Sequence, residues 1–223
     1  MKLIAPSFEI FYPEEPEWPA MLTRIERIAR KCYKSEGSIG PGSAEKLVRK
    51  LLARRHEAMI EHAHNISVLF TVDRGVTHEE VRHRMASFAQ ESTRYCNYAQ
   101  DRFGSEVTFI DTRPMIEAQL RTDNKADNIV RALEVWLDLT AHAERAYLEL
   151  IELGVKPELA RSILTNALKS EIVITTNVRE WRWIFHLRTA KEAHPQMREV
   201  MRPLLAEFRR RVPILFDDVG TTD

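Results

Sequence analysis

The chain has 223 residues and a mass of 26.0 kDa, enough to bury a core within one domain. Its formal net charge is zero, with 44% hydrophobic and 30% charged residues, so no overall positive field favours nucleic acid or an acidic membrane surface. No apolar run approaches the ~20 residues of a membrane helix, and Pro13 soon interrupts an N-terminus that lacks the apolar core of a signal peptide. The expected location is the cytoplasm.

Hydrophobic periodicity predicts an α+β class, a helix-dominated domain with a small antiparallel or mixed sheet. Helices are predicted over 17–34, from Ser43 as N-cap, from Thr77, over 127–152, from Pro157, from Asn177 and from Pro195. Strands are predicted over 65–72, 106–111 and 171–176, with loops over 35–43 and 112–126. We take residues 1–223 as a single domain whose tail, 217–223, is frayed.

The helix from Thr77 is predicted from a capping box that Thr77 forms with Glu80. Its apolar stripe would consist of Val81, Met85 and Phe88, spaced at four and three residues. This helix would carry the start of segment 82–95 in its first turns.

Segment 82–95 is the most informative stretch, with three arginines and a histidine beside serine and threonine hydroxyl groups. The planar fork of an arginine matches pairs of phosphate oxygens. His83 lies between Arg82 and Arg84, and two adjacent cations bias a histidine towards its neutral form. Near the start of a capped helix, such a segment is typical of a cradle for a phosphorylated ligand that contains a ring. The alternative is a solvated charged face.

The glycines limit how a nucleotide could be bound. Only seven are present, and they form neither a G-x-G-x-x-G turn nor a P-loop, so a Rossmann fold is not expected. Any nucleotide would have to be held mainly by side chains and helix ends.

Neither a metal site nor a covalent nucleophile is predicted. His56 and His62 are six residues apart, which is about 600° around a helix, so they do not match the zincin spacing. The two cysteines, Cys32 and Cys96, form neither a disulfide framework nor a zinc spacing. Ser92 has no identifiable His/Asp partner, and a hydrogen bond to phosphate or base is the favoured role for it.

Segment 82–95 resembles the signature of the flavin-dependent thymidylate synthase family, R-H-R-x-x-S-x-N-E-x-S-x-R-Y, without a gap. The matching positions are Arg82, His83, Arg84, Ser87, Ser92, Arg94 and Tyr95. Similarity extends over about residues 20–205, through His56-Glu57 with Glu61-His62, Pro157 with Arg161, Asn177-Val178-Arg179, and Leu187-Arg188.

The resemblance implies reductive methylation of the small-molecule substrate dUMP to dTMP. In that family 5,10-methylenetetrahydrofolate supplies the carbon, NADPH reduces FAD, and the flavin delivers a hydride. The resemblance also implies a homotetramer with shared active sites and an α+β fold unrelated to the Rossmann type.

By position, the resemblance assigns FAD binding to His56, Glu61, Arg82, His83, Arg84, Gln90, Asn177 and Arg179. It assigns dUMP binding to Glu79, Arg82, Gln90, Glu91, Ser92, Thr93, Arg94, Arg161 and Arg188. Arg188 is the implied catalytic residue, because a fixed cation beside the uracil favours loss of the N3 proton and stabilises the resulting anion. The ring carbon then becomes more electron-rich without an enzyme nucleophile.

Two of the departures from the family pattern concern residues assigned to the site. Ala89-Gln90 replaces Asn-Glu, and Glu79 stands where Gln is common, which leaves an acceptor where the family has a group that also donates. Two other functions stay open at this point, a nucleotide-binding or phosphate-binding enzyme of different chemistry and a nucleic-acid-binding module built on the arginine patch. The zero net charge disfavours the second.

Overall fold

A computed structural model describes residues 1–14 and 17–220, apart from the side chain of Arg102. Its α-helices are α1 Glu17–Ala29, α2 Ser43–Ala53, α3 Arg74–Glu80, α4 Arg113–Thr122, α5 Ile129–Glu152, α6 Pro157–Ala160, α7 Val178–Arg188, α8 Pro195–Arg211 and α9 Pro213–Phe216. Its strands are β1 Lys2–Ile4, β2 Ser7–Tyr12, β3 Ile66–Asp73, β4 Ser87–Gln90, β5 Thr108–Ile110 and β6 Lys169–Thr176. The predicted helix-dominated α+β class is confirmed.

The strands form two small sheets. In one, β1 and β5 pair in parallel, with Lys2 opposite Thr108 and Ile4 opposite Ile110. The other has four strands in the order β2-β3-β6-β4. Burial alternates along β3 because successive side chains point to opposite faces of a strand, which confirms the strand predicted there.

The described chain forms two compact units, and the first comprises Met1–Ser7, Phe70–Arg82 and Ala89–Ile172. Its core is a cluster of buried side chains, Tyr98, Val107, Phe109, Tyr147, Ala160 and Leu168. Helix α5 packs against α4 and α6 in this unit. The cluster places Tyr98 directly beside the segment that follows β4.

The second unit comprises Phe8–Leu69, His83–Phe88 and Val173–Asp223. Its core is aromatic, with the ring of Phe208 packed edge-to-face at 5.2 Å from Trp18 and 5.1 Å from Phe185. Trp181 is fully buried and donates its indole N–H to the carbonyl of Ile66 at 3.0 Å. Because Trp181 and Phe185 hold one face of α7 in this core, the opposite face of α7 is held in a fixed orientation.

The helix predicted from Thr77 is wrong in its position. Asp73 is the N-cap and accepts from the Val76 N–H at 2.7 Å, so α3 begins at Arg74 and ends at Glu80. Thr77 lies inside α3 and donates its hydroxyl to the carbonyl of Arg74 at 3.1 Å. Residues 81–86 form turns and a bend, and Ser87–Gln90 continues as β4. Two members of the predicted apolar stripe, Val81 and Met85, are exposed.

Other local predictions also needed correction. The predicted loop 112–126 contains α4, which buries none of its side chains and therefore shows no apolar period. Ser43 is the first residue of α2 rather than its cap, a position held by Gly42 with a φ of 69°. The helix predicted from Pro157 is a single α-turn that continues as a 3₁₀ turn, and β1, β2 and β4 were not predicted.

The packed chain extends further than predicted at the C-terminus. Val219 is buried, and Arg182 pairs with Asp218 through both Nη atoms at 2.7 and 2.8 Å. Residues 221–223 of the predicted frayed tail lie outside the described residues. Across the described residues, no helix combines the length and apolar character needed to cross a membrane.

Candidate active site

His83 is a buried side chain held against the last residue of α7. Its Nε2 lies 3.0 Å from the Nε of Arg188, and only 6% of the histidine is exposed. Because the Nε–H of arginine can only donate, Nε2 accepts and the imidazole is neutral. Burial, with a smaller effect of the Arg188 charge, lowers the pKa of His83 to about 4. His83 is therefore neutral, as expected from segment 82–95. The arginine that contacts it is Arg188, however, whereas the sequence pointed to Arg82 and Arg84.

The other ring nitrogen of His83 faces α7 as well. Its Nδ1 lies 3.6 Å from the Oε1 of Glu180, and burial raises the pKa of this carboxyl group. Asn177 caps α7 by accepting the Glu180 N–H at 2.9 Å, which confirms the predicted start of the helix. The capped helix thus holds Glu180 and Arg188 on either side of one imidazole.

A cavity of ≈ 850 Å³ lies in the second unit along α7. It is lined by Glu61, Asn177 and Arg179, three of the residues assigned to FAD by resemblance. Arg179 pairs with Glu61 at 2.6 Å and with Glu57 at 3.6 Å, and the hydrogen bond to Glu61 raises the pKa of the arginine. The volume lies in the range of cofactor sites, and the lining offers both cations and acceptors.

Other residues assigned to FAD are not brought into this cavity. His56 lines a separate, smaller cavity of ≈ 350 Å³ with Cys32 and Tyr33. Arg82 and Arg84 are exposed in the turns before β4. The structure thus gathers Glu61, Asn177 and Arg179 around one cavity of the second unit, and His56 and Arg84 of the same unit do not line it.

In the first unit, Thr93 and Arg161 meet at a cavity of ≈ 240 Å³. The Nη1 of Arg161 donates to the Oγ1 of Thr93 at 2.8 Å, and its Nε donates to the carbonyl of Glu158 at 3.2 Å. Arg74 and Ser162 line the same cavity. A small cavity lined by two arginines and by the hydroxyl groups of Thr93, Ser162 and Thr165 is suited to hold a phosphate group.

Glu91 belongs to a polar network of the first unit. Its carboxylate accepts from the hydroxyl of Tyr98 at 3.0 Å and from the Nζ of Lys169 at 2.9 Å, and its N–H donates to the carbonyl of Glu171 at 2.8 Å. Burial disfavours the charged form of Lys169, but the hydrogen bonds and charges of Glu91 and Glu171 together outweigh it and raise the pKa of the lysine. Burial and Glu91 also raise the pKa of Tyr98. The Glu91 carboxylate therefore fixes the backbone beside Thr93.

The remaining predicted substrate residues surround this network. Gln90 donates its amide to the Oγ of Ser170 at 3.0 Å. The Oγ of Ser92 accepts the Arg94 N–H at 3.4 Å, and the guanidinium of Arg94 is exposed, 3.8 Å from Glu158. Glu79 is half-buried near the end of α3. Arg94 is the member of this group that extends furthest towards solvent.

Sequence reasoning missed Lys169, Tyr98 and Glu180. Lys169 begins a strand whose alternation indicates only a buried face, and nothing in the pattern links it to Glu91. For Glu180 the sequence pattern indicates only a place in a capped helix start, and it gives no signal that this residue approaches His83. Of these three residues, only Tyr98 lies close in sequence to the residue that it contacts, Glu91.

Comparison with known proteins identifies the family. A family model described as "Thymidylate synthase complementing protein" matches residues 17–214. The flavin-dependent thymidylate synthase of Pyrococcus furiosus is 34% identical over 173 residues, 78% of this chain and 66% of that protein. That of Pyrococcus abyssi is 33% identical over 194 residues, 87% and 73% of the two chains. That of Corynebacterium aurimucosum is 28% identical over 204 residues, 89% and 80% of the two chains.

A solved structure shares the fold. The UMP/dUMP methylase PolB from Streptomyces cacaoi, bound with 5-Br dUMP, superposes with a TM-score of 0.73 at 22% identity, covering 97% of this chain and 96% of that one. The resemblance found in segment 82–95 is confirmed by the family match, and the chain belongs to the family of thymidylate synthase complementing proteins, the flavin-dependent thymidylate synthases.

Proposed function

We propose that this protein converts dUMP to dTMP by reductive methylation, with 5,10-methylenetetrahydrofolate as carbon donor and NADPH as reductant through FAD. The observation that supports this most directly is the pairing of Arg188 with the neutral, buried His83. A guanidinium held by a neutral acceptor keeps its full charge and a fixed position. Such a cation suits the activation of a uracil ring.

The groove of the second unit fits FAD. Its volume of ≈ 850 Å³ and its lining by Asn177, Arg179 and Glu61 provide room, an anion-binding helix start and hydrogen-bond acceptors. Bound FAD, once reduced by NADPH, supplies the hydride that completes the methyl group. Asn177 and Arg179 bind and orient it in this proposal, with Glu61 beside them, while His56, Arg82, His83, Arg84 and Gln90 remain further candidates from the resemblance.

The residues of the first unit bind the substrate phosphate in this proposal. Arg161 and Thr93 already form a hydrogen-bonded pair at a cavity, and Ser92 and Arg94 are the neighbours of Thr93 in the sequence. Two arginines can each offer two parallel N–H groups to phosphate oxygens. Glu91 contributes by holding this segment in place, whereas Glu79, Arg82 and Gln90 are proposed contacts by position alone.

Arg188 acts on the uracil ring. Its charge stabilises the anion formed when the N3 proton leaves, so that electron density rises at C5 and this carbon attacks the one-carbon unit. The C5 proton is lost after the new carbon–carbon bond forms. We further propose a homotetramer in which protomers share active sites.

A spectrum and an isotope-release assay test the function. We expect the purified protein to be yellow, with flavin absorbance in the visible blue, and to release tritium from 5-labelled dUMP when methylenetetrahydrofolate and NADPH are supplied. The release should require both co-substrates, and dTMP should be the product. A colourless protein that releases no tritium after FAD is added would overturn the proposal.

A further inference from the structure

One face of α7 combines cations with exposed aromatic rings. Arg179, Trp183 and His186 all line the groove of the second unit, and spacings of four and three residues place them on the same side of the helix. Trp183 is 52% exposed, whereas Trp181 on the same helix is fully buried. The indole of Trp183 therefore adds little to the core, and its exposed surface faces a polar cavity.

Trp183 is backed by a second ring. Its centroid lies 5.5 Å from that of His186, with an angle of 26° between the planes. Two nearly parallel rings restrict each other and present a flat aromatic surface. Such a surface binds planar heterocycles by stacking, because every heterocyclic base has a π-face.

The start of α7 offers an anion site next to this surface. Asn177 caps the helix, and Arg179 stands in its first turn, where the helix dipole also favours negative charge. Trp183 follows Arg179 by four residues, on the order of 6 Å along the helix axis. Glu61 and Glu57 now neutralise Arg179, and both are surface carboxylates that a phosphate group could replace. One helix face thus suits a ligand that joins phosphates to a flat ring.

We propose that Trp183, backed by His186, stacks on a planar ring of FAD and is a binding residue of this enzyme. The inference rests on the proposed function, since it needs FAD as the ligand. Isoalloxazine and adenine are both flat aromatic ring systems. Titrations with FMN and ADP, which carry one ring system each, distinguish them.

The test compares FAD affinity among variants freed of flavin. Trp183→Ala should weaken FAD binding by about 5- to 150-fold, the range measured for loss of one stacking side chain. Trp183→Phe, which keeps an aromatic ring, should retain most of the affinity. Leu187→Ala is the matched control, because Leu187 is a 40% exposed apolar residue of α7 that does not line the groove. Binding is measured by titration calorimetry, independently of turnover.

Titrations with FMN and ADP identify the ring, since the half that stacks should lose affinity in Trp183→Ala. If circular dichroism shows that Trp183→Ala is unfolded, Trp183→Leu supplies an apolar side chain without a ring and should show the same weakening. Affinity within about twofold of the unaltered protein in the folded variant would overturn the inference. Failure of the unaltered protein to bind FAD would overturn the proposed function instead.

Discussion

The Nε–H of Arg188 points to the Nε2 of His83 across 3.0 Å, in surroundings that leave the histidine 6% exposed. The contact works only while His83 is neutral, because a protonated imidazole has no acceptor and would repel the guanidinium. Glu180 approaches the opposite nitrogen at 3.6 Å. The position of the proposed activating cation is therefore linked to the protonation of one buried side chain.

Stability should depend on pH through His83. Its pKa is lowered from 6.5 to about 4 in the folded protein, so between these values the unfolded chain binds more protons and stability rises with pH. At most about 3 kcal/mol should be lost on acidification from pH 7 through 4. Urea unfolding at about pH 7 and about pH 4.5 measures this, and His83→Asn should reduce the difference. An equal pH dependence in both proteins would exclude His83 as its source.

Removal of the Arg188 guanidinium should strongly slow the methylation reaction without abolishing cofactor binding. Arg188→Ala should lower tritium release from 5-labelled dUMP by about 10²- to 10³-fold, the cost of losing one donor that stabilises a developing anion. FAD affinity should stay near that of the unaltered protein. Arg188→Lys keeps the charge but lacks the Nε donor to His83, so an intermediate rate is expected. Near-normal turnover of Arg188→Ala would refute its assignment as the activating cation.

Arg94 should distinguish the two ligands. Its guanidinium is exposed and 3.8 Å from Glu158, so Arg94→Ala should cost little stability. The affinity for dUMP should fall by about 10- to 100-fold, as expected for loss of a charge-assisted contact, while FAD affinity changes far less. Glu158→Gln breaks the same ion pair and serves as the control, with dUMP binding retained. An equal loss of affinity for dUMP and FAD in Arg94→Ala would mean that the substrate-binding and cofactor-binding residues are wrongly separated.

Lys169 should matter for stability. The Glu91 carboxylate is only 11% exposed, and Lys169→Met removes the cation that pairs with it. The loss should cost about 3 kcal/mol in the free energy of unfolding. Unfolding in guanidinium chloride measures the change in free energy, and Lys191→Met, which replaces an exposed lysine, is the control. Adding Glu91→Leu to Lys169→Met should recover part of the loss, because the buried charge is then gone. A loss no greater than in the control would show that the pair is not effectively buried.

Local sequence patterns were sufficient to predict a helix, strand or cap that depends on residues within one element. The buried alternation of β3, the cap at Asn177 and the long apolar period of α5 depend on residues close in sequence, and all three were predicted. The cap at Thr77 failed because Asp73, directly after a buried strand, caps the helix earlier. The absence of a clear period in 112–126 was misleading, since α4 is a helix with no fully buried side chain.

The sequence by itself determined the helix-dominated class, the need for side-chain capture of a nucleotide, and the family signature in segment 82–95. Only the tertiary structure decided which side chains act together. Arg188 and His83 lie 105 residues apart and Lys169 and Glu91 lie 78 apart, so no local spacing links them. Burial then set their protonation, because removal from water favours a neutral His83 while a close carboxylate keeps Lys169 charged. Pairing and desolvation are properties of the packed chain, and they convert the opening pattern of arginines and histidine into a defined site.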